Sequence, residues 1–279
     1  MKLIFVFLLF PLSKGAVQKC DEIDKVKICT DDPNYNRMLP RNEEIPLKIG
    51  SSVTIHNIDK VAEDDQHITI NILLAVFWFD SRLRLKNGNG SHIIGDNEEE
   101  GIFRPRMKIM NYKQIDEKKL IGPGSSDITF IYGFNGSHYQ NHYFEYQQNF
   151  KVTLYCPFKF DDYPFEKNVC NFEYGPGRLF SDTVIMNHTI LKFANQTKKF
   201  GEGPIRFEDN RLPFVFEFSV LDTFIHSEAG FNYSYSGVGI NITRSDVQTL
   251  MIEFYLPTFI FAMLAQISYL INPEIVSFH

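Results

Sequence analysis

Cys156 and Cys170 are the residues whose type and spacing most clearly predict a chemical bond in this chain. They bracket the stretch PFKFDDYPFEKNV, and a disulfide between them would close a loop of about fifteen residues, a stabilisation of ~3 kcal/mol in the chain-entropy view. The loop contains a Tyr163-Pro164 step between two phenylalanines, and an X-Pro bond adopts the cis form more readily than other peptide bonds. These features predict a stiff loop with an aromatic tip; the alternative is a bridge that only staples a secreted fold.

The remaining residues show no pattern for catalysis or metal binding. His138 and His142 lie four residues apart in strand-like sequence, HYQNH, where this spacing does not bring two imidazoles together as it does on a helix. Solvated loop histidines are therefore favoured over a metal site. No serine or cysteine nucleophile stands out, because the two cysteines of the loop are better used in a bridge. We predict no catalytic residue, no metal, no cofactor and no enzymatic activity.

The N-terminus has the composition of a secretory signal. Lys2 precedes the apolar run at residues 3–12, and the small residues Gly15 and Ala16 follow. This order predicts a signal peptide over residues 1–16, and the apolar run is too short to span a bilayer. We therefore expect the rest of the chain in an oxidising, extracellular compartment.

Two further features agree with secretion. Cys20 and Cys29 can pair with each other in such a compartment, or one of them can bond another chain. The sequence also contains six N-x-[ST] sequons, the acceptor pattern for N-glycosylation. They lie at Asn89, Asn135, Asn187, Asn195, Asn232 and Asn241. We therefore expect an extracellular glycoprotein.

Composition narrows the fold and the partners. The 279 residues are 44% hydrophobic and 22% charged, with a formal net charge of −6, which is enough for one large domain and a short extra element. The mildly acidic balance argues against nucleic acid as a partner. Aromatic residues make up 15% of the chain, which favours a strand-rich fold.

Period-two alternation of apolar residues predicts half-buried strands through the middle of the chain. The predicted buried rows are Phe144, Tyr146, Phe150, Val152, Leu154, Cys156, Phe158 and Phe160; Ile68, Ile70, Ile72, Leu74, Val76 and Trp78; Phe214, Phe216, Phe218 and Val220; and Val238, Ile240 and Ile242. Glycine-rich turn signals at 86–90, 122–126 and 175–177 separate such runs. Many alternating strands without a helical period predict an all-β, immunoglobulin-like β-sandwich over residues 17–248.

The pattern changes after Arg244. Residues 254–273 contain no charged side chain, and at ~1.5 Å per residue they match the thickness of the hydrocarbon layer of a membrane. This run predicts a single transmembrane α-helix over residues 249–272, followed by a short intracellular end at 273–279. The alternative, a core helix of a soluble protein, is disfavoured by the length of the run and by Pro257, which soluble helices seldom tolerate mid-length.

Several of these segments together resemble the Cys-loop ligand-gated ion channels, the pentameric neurotransmitter receptors. The loop at 156–170 is similar to the signature loop of that family, with Glu166 where the family usually has Asp. The hexapeptide WFDSRL, which begins at Trp78, matches the family's W-x-D-x-R-L motif, and FRPR, which begins at Phe103, stands where the family has W-x-P-D. The resemblance runs over roughly residues 32–279. It implies an extracellular ligand-binding β-sandwich with Trp78 in its core.

The resemblance also implies a cluster that couples the domain to the membrane. Arg244 ends the last alternating strand before the apolar run, and Glu63 and Glu166 match acidic positions of the family. Such an arginine is a fixed cation that two carboxylates can hold through its forked guanidinium; a solvated surface arginine is the alternative. Together with Pro164 and Phe165 of the disulfide loop, these residues are predicted to relay ligand binding to the membrane.

The positions that the resemblance assigns to ligand binding have an unusual composition. In the family, an aromatic cage holds a ligand ammonium by cation–π attraction. The aligned positions here are Met110, Gly177 and Leu73. None has an aromatic ring, so no amine site of the usual kind is implied. Phe231, Tyr233 and Tyr235, in the loop before the last extracellular strand, match the aromatic character of the family's capping loop and are the candidate ligand-binding residues; ordinary strand packing is the alternative.

The sequence therefore predicts a subunit, or a fragment of a subunit, of a Cys-loop ligand-gated ion channel. The resemblance implies assembly with other subunits into a homo- or heteropentamer in membrane lipid, with a small neurotransmitter-like ligand that the sequence does not identify. The pore-lining helix of the family is not in this sequence. We expect a fragment, because the sequence ends in the stretch INPEIV at residues 271–276, where the family's link to the pore helix begins; a truncated, non-conducting binding protein or assembly modulator is the alternative. The implied location is the plasma membrane, with a synaptic one left open.

Overall fold

The computed structural model describes residues 18–19, 28–30, 39, 46–85, 90–94, 102–117, 127–133, 142–177, 179–193, 205–208 and 211–270. In chain order the strands are β1 (Gln18–Lys19), β2 (Ile28–Thr30), β3 (Leu47–Ala62), β4 (His67–Phe79), β5 (Leu83–Leu85), β6 (Gly90–Ile94), β7 (Met107–Ile109), β8 (Tyr112–Glu117), β9 (Asp127–Gly133), β10 (His142–Tyr155), β11 (Lys167–Pro176), β12 (Val184–Phe193), β13 (Ile205–Glu208), β14 (Phe214–Glu228) and β15 (Phe231–Arg244). The predicted signal peptide, the predicted intracellular end and the turn signals at 86–89 and 122–126 lie outside the described residues.

Two large sheets make up the domain. The seven-stranded sheet has the order β12-β3-β4-β10-β9-β6, with β8 also paired to β10, and the five-stranded sheet has the order β13-β14-β15-β11-β7. Within these two sheets β12 pairs with β3 in parallel, and the other pairs are antiparallel. A small third sheet has the order β1-β2-β5. Antiparallel sheets with one apolar face each are the arrangement that the alternating rows require.

The core contains most of the predicted alternating rows. The rows of β4, β10 and β15 are buried along their predicted lengths, apart from the end of the β10 row. Trp78 is 1% exposed; its ring stacks on Phe144, with centroids 5.7 Å apart, and meets Phe103 edge-on at 6.3 Å. Both geometries are favourable for aromatic pairs. The prediction that Trp78 is a core residue is confirmed.

Two members of the predicted buried rows are exposed instead. Phe160 is 45% exposed, because the chain leaves the sheet after β10 and turns within the disulfide loop. Val220 is 44% exposed; the buried row of β14 ends at Phe218, and a bulge between Leu221 and Phe224 follows. Alternation selects one side of a strand, whereas burial also requires a second sheet to face that side.

The Gly-Pro-Gly motif predicted as a turn is mostly strand. Gly175 and Pro176 belong to β11, and the turn begins only at Gly177. A Cβ atom on Gly175 would collide with the carbonyl oxygen of Ser234 and with the ring of Tyr235 in the neighbouring β15. Glycine at this position therefore permits the close approach of a second strand.

Four buried hydroxyl groups connect the two large sheets. Ser51 of β3 is hydrogen-bonded to Tyr174 of β11 and to Thr189 of β12, each at 2.8 Å. Thr189 is in turn 2.7 Å from Ser236 of β15. Burial raises the pKa of Tyr174 to about 12, against the lowering effect of its bonds with Ser51 and Thr189. The cluster satisfies polar groups that would be costly in an apolar core without partners.

The helical segment follows β15 closely. It consists of α1 (Val247–Leu250), a π-helical segment (Met251–Tyr255) and α2 (Leu256–Leu270). In a regular α-helix the ring of Pro257 would clash with the carbonyl of Glu253, and the wider π turns lie at this place. The Thr258 hydroxyl donates to the carbonyl of Phe254 at 2.6 Å, which satisfies an acceptor near the proline.

This segment is also the candidate membrane span. Among the described residues, Val247–Ser268 is the one stretch of helix long and apolar enough to cross a membrane, and none of it is buried against the domain. Large apolar side chains are exposed along it, among them Phe254, Phe259, Phe261 and Leu264. The prediction of an all-β sandwich followed by a single candidate transmembrane helix is confirmed for the part of the chain that the structure describes.

Candidate functional site

The disulfide loop joins the end of β10 to the start of β11. Cys156 and Cys170 are bonded, with their Cα atoms 5.1 Å apart. The buried side chains between them are Phe158, Pro164, Glu166 and Asn168. Asn168 Oδ1 accepts a hydrogen bond from the amide of Lys159 at 2.7 Å, and the Tyr163-Pro164 peptide bond is cis. The loop therefore has a packed interior of its own.

The outside of the loop is an aromatic tip. Phe160 is 45% exposed, Tyr163 is 42% exposed and Phe165 is 64% exposed. Aromatic rings bury large areas when they dock, and a group of them in water marks a contact surface. Of the two tip residues carried by the resemblance, Pro164 is buried inside the loop and Phe165 points outward.

Arg244 lies where the sandwich meets the helix. It is the last residue of β15, and α1 begins at Val247. Its Nε donates to Glu166 Oε1 at 2.6 Å, and its Nη2 donates to Glu63 Oε1. Glu63 lies in the turn between β3 and β4. The structure thus brings together three residues that are 78 and 181 positions apart in the chain.

The surroundings of Arg244 keep it charged. The side chains of Arg244 and Glu166 are 9% and 5% exposed, and that of Glu63 is 24% exposed. Burial lowers the pKa of Arg244, but the hydrogen bonds and charges of Glu63 and Glu166 raise it more, so the net direction is upward. The Arg244 Cζ also lies 4.8 Å from the ring centroid of Tyr163 and 5.2 Å from that of Phe214, within the range of cation–π attraction.

Glu166 depends on Arg244 for compensation of its charge. Its second oxygen, Oε2, is buried and has no hydrogen-bond partner among the described residues. A buried carboxylate without a partner is strongly unfavourable. We call Arg244, Glu63, Glu166, Tyr163 and Phe214 the helix-end cluster.

Sequence reasoning missed the two rings of the helix-end cluster. A two-residue hairpin turn at 229–230 would place Val215 opposite Arg244 if β14 and β15 were regular. The bulge between Leu221 and Phe224 shifts the register by one residue, so Phe214 lies opposite Arg244 instead. A bulge leaves little signal in a sequence. The contact of Phe214 with Arg244 therefore becomes visible only in the strand register of the structure.

Two backbone hydrogen bonds, whose acceptor residues have positive φ, hold the base of the disulfide loop. The amide of Cys156 donates to the carbonyl of Gln66, and the amide of Tyr155 donates to the carbonyl of Asn111, each at 2.9 Å. Both acceptors have positive φ, 52° for Gln66 and 46° for Asn111, a conformation uncommon outside glycine. The Asn111 side chain also donates to the carbonyl of Asn171 at 2.9 Å. The turn that carries Glu63 is therefore tied to the loop that carries Glu166.

The candidate ligand-binding aromatics are part of a strand. Phe231, Tyr233 and Tyr235 lie in β15 itself, and not in a loop before it as predicted. The reason is the tight turn between β14 and β15, which consists of Ala229 and Gly230 with φ of 52° and 83°, the signs that a two-residue hairpin turn of this kind needs. Tyr235 is 1% exposed, whereas Phe231 is 51% exposed.

The positions aligned with the aromatic cage are also described. Leu73 lies in β4 of the seven-stranded sheet, whereas Gly177 follows β11 of the five-stranded sheet. The backbone amide of Met110 donates to the carbonyl of Glu173 at 2.8 Å. A Cβ atom on Gly177 would collide with the side chain of Lys108. Sequence reasoning missed Lys108, because only the pairing of β7 with β11 brings it over the glycine.

The remaining predicted sites are only partly described. Asn187 and Asn232 are exposed, and Asn241 is half-buried between β14 and β11. Asn89, Asn135, Asn195, Cys20 and the side chain of Cys29 lie outside the described residues. Glycosylation at the six sequons and the pairing of Cys20 with Cys29 stay predictions. Within the described ranges, no group of three or more His, Cys, Asp or Glu side chains is placed to hold a metal ion.

Comparison with known families decides the kind of domain. Residues 27–201, well over half of the chain, match the neurotransmitter-gated ion-channel ligand binding domain. The chain belongs to this family. The matched range contains the disulfide loop and Glu63, while Arg244 and the helix lie beyond it. The predicted family is confirmed.

Individual relatives agree with the family. The chain is 25% identical over 256 residues to gamma-aminobutyric acid receptor subunit beta of Lymnaea stagnalis, covering 86% of this chain and 47% of that protein. It is 21% identical over 296 residues to pH-sensitive chloride channel 2 of Drosophila melanogaster, covering 94% and 52%, respectively. It is 20% identical over 288 residues to human gamma-aminobutyric acid receptor subunit alpha-2, covering 98% and 59%. These relatives are receptor and channel proteins and not enzymes. The chain spans about half the length of the curated relatives that it matches.

Proposed function

We propose that the chain is the extracellular ligand-binding region and first membrane span of a subunit of a Cys-loop ligand-gated ion channel. The family match supports the extracellular part, and the apolar helix Val247–Ser268 supports the span. In this proposal the complete subunit assembles with other subunits in the plasma membrane around a pore. Binding of a small molecule to the extracellular domains opens that pore.

The observation that carries the proposal is the position of Arg244. Its guanidinium is bonded to Glu63 and to Glu166, which belong to the β3–β4 turn and the disulfide loop. The backbone continues from Arg244 into α1 through only Ser245 and Asp246, and the amide of Ser245 is held by the carbonyl of Pro213 at 3.1 Å. Because this link is short and bonded, a displacement of either loop moves the start of the helix.

The aromatic tip supplies the second point of contact in this proposal. Phe165 is 64% exposed and sits on the same loop as Glu166, while its neighbour Pro164 is buried. An exposed ring on a loop with a packed interior is suited to press on the membrane part of the receptor. The loop would then push on that part through Phe165 and pull on the helix through Arg244.

The ligand is left open in this proposal. Two of the relatives are named for gamma-aminobutyric acid and one for sensitivity to pH. The cage positions Met110, Gly177 and Leu73 offer no ring for an ammonium ligand. Gamma-aminobutyric acid itself carries an ammonium, so these positions disfavour it as a ligand of this subunit's own site. A step to acid pH is therefore the first stimulus to apply, and gamma-aminobutyric acid is the second.

The experiment replaces Arg244 by lysine in cells that express the complete subunit. Lysine keeps the positive charge but lacks the forked pair of donors that reaches two carboxylates at once. We expect surface labelling close to that of the unmodified subunit and a current reduced about tenfold or more, a loss of ~1.4 kcal/mol in coupling. Arg106→Lys is the matched control, because Arg106 is exposed and far from the helix in sequence. Full currents from the Arg244→Lys subunit would remove Arg244 from the mechanism.

A further inference from the structure

The outer end of the β14–β15 hairpin is fastened to the domain by the chain's own residues. This end carries Phe231 and Tyr233 on one strand and Glu228 on the other. Phe231, Tyr233 and Tyr235, the candidate ligand-binding residues, lie in β15 of this hairpin, so the hairpin is part of the candidate ligand site of the proposed receptor subunit. The contacts that hold it decide whether it moves freely.

The first contact is an aromatic stack. The rings of Phe180 and Phe231 have centroids 4.7 Å apart and are inclined by 17°, and Tyr233 lies 5.6 Å from Phe180. Phe180 is itself held in place, because its carbonyl accepts hydrogen bonds from the amides of Thr183 and Val184, each at 2.9 Å. The stack therefore joins the hairpin to a rigid turn of the domain.

The second contact is a backbone hydrogen bond at the same place. The amide of Ser181 donates to the carbonyl of Asn232 at 2.8 Å. It lies outside the ladder between β14 and β15, and it extends the pairing of β15 to the turn after β11. Because Ser181 follows Phe180 directly, the bond and the stack hold the same few residues of the hairpin.

The third contact is an ion pair from Lys108 of β7. Lys108 Nζ lies 3.5 Å from Glu228 Oε2, with the two side chains 44% and 55% exposed. The stem of Lys108 crosses Gly177, where a side chain of any other residue would collide with it. Burial raises the pKa of Tyr235, and of the charges near it Lys108 lowers that pKa and Glu228 raises it. The ammonium of Lys108 thus lies beside the hairpin, where it pairs with Glu228 and is within electrostatic reach of Tyr235.

We propose that the β14–β15 hairpin is a lid latched by Phe180, Ser181 and Lys108, with the ammonium of Lys108 in the place where a ligand cation would otherwise sit. We call these contacts the hairpin latch. The proposal rests on the receptor function proposed above and adds a regulation to it. A free ammonium ligand would meet a like charge and a closed hairpin, so this subunit does not close its hairpin in response to such a ligand. Gly177, which replaces an aromatic position of the family, is the residue that admits the lysine.

The test measures amide hydrogen exchange of residues 226–234 in the purified full chain in detergent micelles. We expect slow exchange in the unmodified chain, and exchange roughly three- to tenfold faster in Phe180→Ala, the effect of losing one aromatic pair. Lys108→Glu should also speed exchange, because it places two like charges together, and the swap Lys108→Glu with Glu228→Lys should restore the original rate. Ile225→Ala is the matched control, since Ile225 lies in the same hairpin and is 62% exposed.

Two outcomes would overturn the latch. The first is that the amides of residues 226–234 exchange no faster in Phe180→Ala and Lys108→Glu than in Ile225→Ala. The second is that these amides exchange more slowly in the unmodified chain when tetramethylammonium is added, which would show that a free cation can enter. Exchange near Arg244, measured in the same samples, reports whether each variant is folded. Because no current is recorded, a failure here is separate from a failure of the coupling test with Arg244→Lys.

Discussion

The two ends of the β-sandwich hold charged and aromatic side chains together in opposite ways. In the helix-end cluster, the side chains of Arg244 and Glu166 are 9% and 5% exposed. In the hairpin latch, the ion pair of Lys108 and Glu228 is 44% and 55% exposed. Each end combines an ion pair with nearby rings, so the difference lies in burial and not in the types of residue.

Burial changes what the same kind of pair does. Removing one partner of a buried ion pair leaves a charge without compensation and costs about 3–5 kcal/mol, whereas an exposed pair contributes only ~0–1 kcal/mol. The contacts of the helix-end cluster are therefore costly to break, and we expect its residues to stay together. The hairpin end is held by weak contacts that can be released one at a time.

The largest expected effect is the loss of the buried ion pair. Arg244→Ala leaves Glu166 buried without a partner, and we expect unfolding to become easier by about 3–5 kcal/mol. The measurement is urea unfolding of the purified chain followed by tryptophan fluorescence, with Trp78 in the core as the reporter. Lys108→Ala, the matched loss of a cation at the other end, should cost less than about 1 kcal/mol. Equal losses in the two variants would abolish the contrast between the ends.

A smaller effect is expected midway between the ends, at Tyr174. Its pKa in the folded protein is about 12, above the ordinary value of 10.0. The folded state thus keeps a proton that the unfolded state loses, so stability is fully present below pH 10 and falls as the pH rises towards 12, by about 3 kcal/mol in all. Urea midpoints below pH 10 and near pH 12 measure this fall. In Tyr174→Phe the alkaline loss should shrink by that amount, and an unchanged pH profile would contradict the assignment.

The smallest effect is expected at the tip of the hairpin. Gly230 has φ of 83°, and a Cβ atom there would meet nothing within 4 Å. Gly230→Ala therefore changes only the backbone preference, a cost of ~1 kcal/mol. We expect this loss to appear mainly as faster amide exchange of residues 226–234, with the urea midpoint nearly unchanged. A loss as large as that of Arg244→Ala would mean that the hairpin belongs to the global folding unit.

The sequence predicted the sandwich because its main signal is local. Alternation marks the inner face of a strand, and the row that ends at Trp78 is buried as expected. The same signal failed at Val220 and Phe160, since it does not report where the opposite sheet ends. It also took Gly175 for a turn residue, because a glycine that admits a neighbouring strand looks the same in a sequence as one that bends the chain.

The two candidate sites differ in how far the sequence could describe them. Arg244, Glu63 and Glu166 were predicted as a cluster from the family resemblance. Such a resemblance can link positions that are far apart in the sequence, because members of a family share a fold. Phe214 and Lys108 were missed. The place of Phe214 depends on a bulge, and that of Lys108 depends on a strand pairing with a glycine beside it. The positions of Phe214 and Lys108 thus depend on how the strands are aligned with each other, and the type of a single residue does not predict that alignment.

The π-helical segment Met251–Tyr255 sets the angle at which the rest of the helix faces its surroundings. Each α-helical residue turns the chain by about 100° around the axis, and a π turn holds one residue more than an α turn does. The side chains of α2 are therefore rotated by about one residue relative to a helix without that segment. Deleting a single residue there would keep an apolar helix of nearly the same length and turn a different stripe of it towards any given neighbour.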